Sequence, residues 1–101
     1  MSNTKTKREI NFLHLTGTVT KIGELIHIQR DAAPDLYKRV LTVEMIDGQR
    51  LFPEIRNMRL KQLEKNQIQE GCLVNIEYSF EGSEKNGKRY NNIYINKIEK
   101  L

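Results

Sequence analysis

The chain of 101 residues carries 17 Lys and Arg against 13 Asp and Glu, a formal net charge of +4 with a pI near 9.3. That length fits one domain with a core of its own and excludes a second. The single Cys72 excludes an internal disulfide. No apolar run is long enough to cross a bilayer, and residues 1–9 lack the apolar centre of a signal peptide, so a reduced, cytoplasmic setting without a membrane is the expectation. The basic balance tilts the partner toward a polyanion.

Residues 1–10 are polar and basic, with Lys5, Lys7 and Arg8, and are expected to be a flexible arm ahead of a folded domain over 11–101. Residues 12–29 are rich in Thr, Val, Ile and Leu. Alternation there sets Leu13, Leu15, Gly17 and Val19 against His14, Thr16, Thr18 and Thr20, and a second alternating run follows Gly23. Glycines at 17 and 23 inside a strand pattern predict a bulge or coil, so that one bent strand serves two sheets of a small closed barrel. Residues 30–35, with Pro34 and two aspartates, read as a loop.

Residues 36–46 form the next strand, with Leu41, Val43 and Met45 opposite Lys38, Val40, Thr42 and Glu44. Asp47-Gly48 turns it into a third strand over 49–55. Pro53 has no amide hydrogen to give to a ladder and so marks an edge or an end. Over 56–65 the spacing of Ile55, Met58, Leu60 and Leu63 predicts one side of a short helix, which residues 66–71 close with Ile68 as an anchor. Residues 72–81 alternate cleanly, with Cys72, Val74, Ile76, Tyr78 and Phe80 on the core side. Residues 91–98 alternate less regularly, Ile93 and Ile95 against Asn92, Tyr94 and Asn96. The intervening residues 82–89 read as a basic, glycine-rich tip, whose Asn86-Gly87 pair suits the two positive φ angles of a type I′ turn.

Three strands, a short helix and two strands predict an all-β fold with one short helix. The architecture is a five-stranded Greek-key OB-fold barrel with the helix between strands three and four. Such barrels commonly bind oligonucleotides on strands two and three and on the loops joining strands one to two and four to five. Seven segments run in order along the chain: Leu15-Thr-Gly-Thr-Val19, Lys38-Arg-Val-Leu-Thr-Val-Glu44, Leu51-Phe-Pro-Glu-Ile55 leading into Leu60-Lys-Gln-Leu63, Gln69-Glu-Gly71, and Asn86-Gly-Lys-Arg-Tyr90 with Lys97-Ile-Glu99. On these residues the chain, over 15–101, resembles a small bacterial family of OB-fold proteins akin to single-stranded-DNA-binding proteins and largely of unknown function. The resemblance implies a homo-oligomer, dimer or tetramer, in which several weak barrels act together. Similar family members place aromatic residues, often Trp, where this chain has Arg56, Arg89 and Asn96. No acidic, glycine- and proline-rich tail follows the last strand, so a role other than main replication protein is expected.

Single-strand binding needs cations along the phosphates and flat side chains against the bases. The candidate phosphate contacts are Lys38, Arg39, Arg50, Arg56 and Arg59, in or just after strands two and three, with Lys85, Lys88 and Arg89 at the hairpin tip. In an OB barrel these two groups flank one groove. Tyr37, Phe52, Tyr90 and Tyr94 are the candidate stacking residues, and the guanidinium planes of Arg56 and Arg89 can stack as well. Phe52 stays open between core and groove, Tyr78 and Phe80 read as packing, and His14 and His27 read as ordinary surface residues. The sequence has no phosphate-binding glycine loop, no nucleophile with a recognisable base and no metal-ligand cluster, so neither an enzyme nor a cofactor is expected. Two readings follow. One is non-enzymatic binding of single-stranded nucleic acid, DNA favoured over RNA, with little sequence preference. The other is an OB module specialised for protein contacts, its Thr-rich face of Thr16, Thr18 and Thr20 available for a symmetric contact.

Overall fold

The alternating pattern becomes seven strands in the computed structural model, which describes residues 13–101. They are β1 (Leu13–Ile22), β2 (Ile26–Ile28), β3 (Leu36–Glu44), β4 (Arg50–Leu51), β5 (Glu54–Arg56), β6 (Leu73–Lys85) and β7 (Lys88–Lys100). A 3-10 turn, Asn57–Leu60, and one helical turn, α1 (Lys61–Lys65), lie between β5 and β6. The expected basic arm at residues 1–10 lies outside the described residues. Neighbours run β1-β6-β7-β5-β3, and β3 pairs back onto β1, which closes the sheet into a five-stranded OB barrel. All these pairings are antiparallel except that of β5 with β7, which is parallel through Glu54 and Tyr94. The expected first strand is β1 plus β2, and the expected third is β4 plus β5, separated at Phe52 and Pro53.

Closure depends on β1 serving two partners. Its first half pairs with β6, from Leu13 opposite Tyr78 to Thr18 opposite Leu73. Its second half pairs with β3, from Thr18 opposite Glu44 to Ile22 opposite Leu41, with Thr20 bulged out of register. An extra residue of this kind bends and twists a strand, which lets one sheet curl onto itself. The two glycines permit the close approach. A Cβ on Gly17 would lie 2.7 Å from Val43 Cγ1, and one on Gly23 only 2.6 Å from the Val40 carbonyl oxygen. The Gly23 amide donates to that same oxygen at 2.9 Å.

Leu15, Val19, Leu41, Val43, Ile55, Ile68, Val74, Ile76, Ile95 and Ile98 fill the barrel. Burial of one such side chain is worth about 1.5–3 kcal/mol. Ile95 and Ile98 are three apart, a spacing that a regular strand sends to opposite faces. Both are buried because Asn96 is an extra residue: Glu77 pairs with Lys97 and Tyr78 with Ile95, so Asn96 has no partner on β6. This second bulge explains the irregular alternation of 91–98.

Three expectations are corrected. Phe80 is 57% exposed rather than on the core side, because β6 and β7 run past the end of the barrel as a two-stranded arm. Met58 is 77% exposed, because the segment starts as a 3-10 turn and the 3.6-residue period does not run through it; Leu60 and Leu63 do pack on the core. The hairpin tip is shorter than 82–89, since the ladder continues to the pair Lys85 and Lys88. Asn86 and Gly87 alone make the turn, with φ of 53° and 79°, as a type I′ turn requires. Among the described residues no helix is long and apolar enough to cross a membrane.

Candidate nucleic-acid interface

Strand alternation and register decide which candidate residues share a surface. In β5 and the loop before it, Pro53 and Ile55 point into the core, so Phe52, Glu54 and Arg56 point out. Across the ladder Lys38 stands opposite Arg56, and Val40 opposite Glu54. On the other side Glu54 is the registered partner of Tyr94. These outward residues therefore make one continuous patch over β3, β5 and β7. Phe52, open in the sequence, is 59% exposed and belongs to this outer side.

Glu54 sits at the centre of the patch. Its Oε1 accepts from Lys38 Nζ at 3.2 Å and from Arg56 Nε at 3.0 Å, and its side chain is only 14% exposed. The Arg56 guanidinium lies over the Tyr94 ring, 4.3 Å from the centroid, within the range of a cation–π contact. Burial raises the Tyr94 hydroxyl above its ordinary pKa of 10.0, the Arg56 charge opposes the shift, and neighbouring Glu81 and Glu54 add to it. Arg59, from the 3-10 turn, joins Glu54, Arg56, Glu81, Tyr94 and Asn96 around a shallow cleft beside the patch.

The arm extends this surface. From Tyr94 outward along β7, the residues on the same side are Asn92, Tyr90 and Lys88, paired with Glu81, Ser83 and Lys85 of β6. The opposite side carries Arg89 against Glu84, 3.9 Å apart, and then Ile93 against Phe80, with Phe80 edge-on to Tyr78. Thus Lys38, Phe52, Arg56, Arg59, Lys85, Lys88, Tyr90 and Tyr94 fall on one side of the molecule. Four expected residues do not join them. Arg89 is on the far side of the arm. Arg39 faces the core side at the barrel end, where it donates to the Gly23 carbonyl at 2.8 Å and holds β1 to β3. Arg50 is opposite Glu44 at the other end of β3, six residues from Lys38 and so roughly 20 Å away along the strand. Tyr37 alternates away from Lys38 and stacks on His27, with centroids 4.4 Å apart.

One participant, Glu54, was not singled out as a site residue in the sequence. Glu54 could have been found from Glu54-Ile55-Arg56, since alternation puts both charges on one side; its partnership with Lys38 needed the β3–β5 register. His27 is held in a pair with Asp35, 2.8 Å from Nε2 to Oδ2. That hydrogen bond is the main reason the Asp35 carboxyl lies below its usual pKa of 3.8. Among the described residues no group of three or more His, Cys, Asp or Glu comes together as a metal site.

No protein-family model and no curated protein sequence matches the chain. A solved structure does: the dimeric N-terminal domain of the PriB protein from Thermoanaerobacter tencongensis, at a TM-score of 0.52 and 17% identity. The match covers 91% of this chain and 97% of that one. At that identity the likeness is one of fold, and it agrees with the OB barrel read from the strand order.

Proposed function

We propose that this chain is a non-enzymatic OB-fold protein that binds single-stranded nucleic acid, DNA in preference to RNA, with affinity supplied mainly by phosphate contacts. The observation that carries the reading is the continuous outer surface from Lys38 and Arg56 through Tyr94 to Tyr90, Lys88 and Lys85. It covers the second and third barrel strands and the last hairpin, where OB folds commonly take oligonucleotides. Cations are spaced along it for a phosphate chain, and Phe52, Tyr90 and the Arg56–Tyr94 pair offer planes for bases. Glu54 tempers it, because one carboxylate answers two cations and leaves the trio with a net charge of about +1. A dimer is part of the proposal. The PriB domain of similar fold is dimeric, and pairing two weakly basic barrels multiplies a modest affinity.

The test is fluorescence anisotropy of a labelled oligo-dT, titrated at low and near-physiological salt, with an equal-length duplex and oligo-U for comparison. The reading expects micromolar or tighter binding to the single strand, a preference over duplex and RNA, and a steep loss with salt. Absence of binding at low salt would overturn it and leave the module for protein contacts as the reading to pursue.

A further inference from the structure

The cleft beside the patch sets carboxylates among the cations of the candidate interface. Glu54 and Glu81 both line it, and two carboxylates repel a phosphate oxygen. Glu54 is also prepared to accept a hydrogen bond. Lys38 and Arg56 occupy its Oε1 and hold the side chain in one orientation, while Oε2 has no hydrogen-bond partner among the described residues. No buried side-chain oxygen of the described residues lacks a partner, so Oε2 keeps some contact with solvent. Arg59 on the rim makes no ion pair among those residues and is free to donate. The cleft therefore combines one fixed acceptor, Glu54, and the exposed carboxylate of Glu81 with a free planar donor.

We propose that this cleft takes a guanine base and gives the protein a guanine preference at one position of the bound strand, with Glu54 the specificity-determining residue. This rests on the single-strand reading above. Guanine alone among the common bases presents two adjacent donors, N1–H and the N2 amine, together with the acceptors O6 and N7. The donors suit Glu54 Oε2 and Glu81, and the acceptors suit Arg59. Thymine offers one donor flanked by two carbonyl oxygens, whose lone pairs would be set against the carboxylates. Cytosine and adenine each offer one amine and fall between. Phosphates then follow Lys38 on the patch and Lys88 and Lys85 on the arm while the base turns inward.

The test compares oligo-dT of fixed length with the same oligomer carrying one central dG, one inosine, which lacks the N2 amine, or one dC. Wild-type protein and Glu54→Gln are titrated in parallel at two salt concentrations. A base contact of this kind in an open cleft is worth about five- to ten-fold in Kd. The expected result is tighter binding of the dG oligomer by about that factor, with most of the gain lost for inosine. The dG-to-dT ratio should hold across salt, because it reports base contacts rather than counterion release. Glu54→Gln should bind oligo-dT more tightly, since Lys38 and Arg56 are released, yet lose the ratio; a merely structural glutamate would not separate the two effects. Equal affinity for all four oligomers overturns the guanine site and leaves the single-strand reading standing. Failure of every oligomer to bind overturns both.

Discussion

Removing the two lysines at the end of the arm, Lys85→Ala with Lys88→Ala, tests how the surface is divided. The two are registered partners on the side of the arm that continues to Tyr90 and Tyr94. Arg89, adjacent in sequence to Lys88, is on the other side with Glu84. Each phosphate neutralised on a single strand contributes about −0.7 to the slope of log K against log salt. If both lysines contact phosphate, the double variant should flatten that slope by about 1.4. Over a four-fold rise in salt it would then lose roughly seven-fold less affinity than the wild type. Arg89→Ala should leave the slope nearly unchanged, although it removes a charge from the same turn. The assay is oligo-dT anisotropy at several salt concentrations, with a thermal melt to confirm that each variant is folded. A slope change for Arg89→Ala equal to that of either lysine would refute the two-sided arm. In that case the tip acts as a diffuse positive charge.

Three further perturbations test the scaffold and the surface. Phe52→Ala, which removes an exposed ring from the patch, should weaken oligonucleotide binding by about 1–3 kcal/mol if a base stacks there, with no change in the salt slope; an unaltered Kd would remove Phe52 from the site. Gly23→Ala forces a Cβ to within 2.6 Å of the Val40 carbonyl oxygen, a backbone atom that cannot step aside, and should cost about 1–3 kcal/mol in urea unfolding. Asp35 lies below its usual pKa of 3.8 because of His27. Its contribution to stability is therefore present above that value and is lost as pH falls through the lower, folded-state value. Asp35→Asn should accordingly show a smaller drop in melting temperature between pH 5 and pH 2 than the wild type, and an equal drop would show that the pair does not stabilise the folded state.

Much of this protein is written locally. The two-residue period of β6, the Asn86-Gly87 turn, the missing amide hydrogen at Pro53 and the glycines at 17 and 23 are properties of short stretches, and they suffice for strand order and an OB barrel with one short helix. The outward course of Phe52, Glu54 and Arg56 is nearly as local, once Pro53 and Ile55 are known to be inside. What the tertiary structure alone decided is relative phase. The bulges at Thr20 and Asn96 shift one strand by a residue against its partner, and such a shift moves every later side chain to the other face. The shift at Asn96 puts Ile95 and Ile98 both inside, while the reach of the arm past the barrel leaves Phe80 exposed. The Glu54 hub joins residues 16 apart across the β3–β5 ladder, and the separation of Arg89 from Lys88 matters only because the arm has a side that continues onto the barrel. Composition and spacing cannot show these features, because each depends on which backbone hydrogen bonds form when the barrel closes, and closure brings together parts of the chain that are distant in sequence.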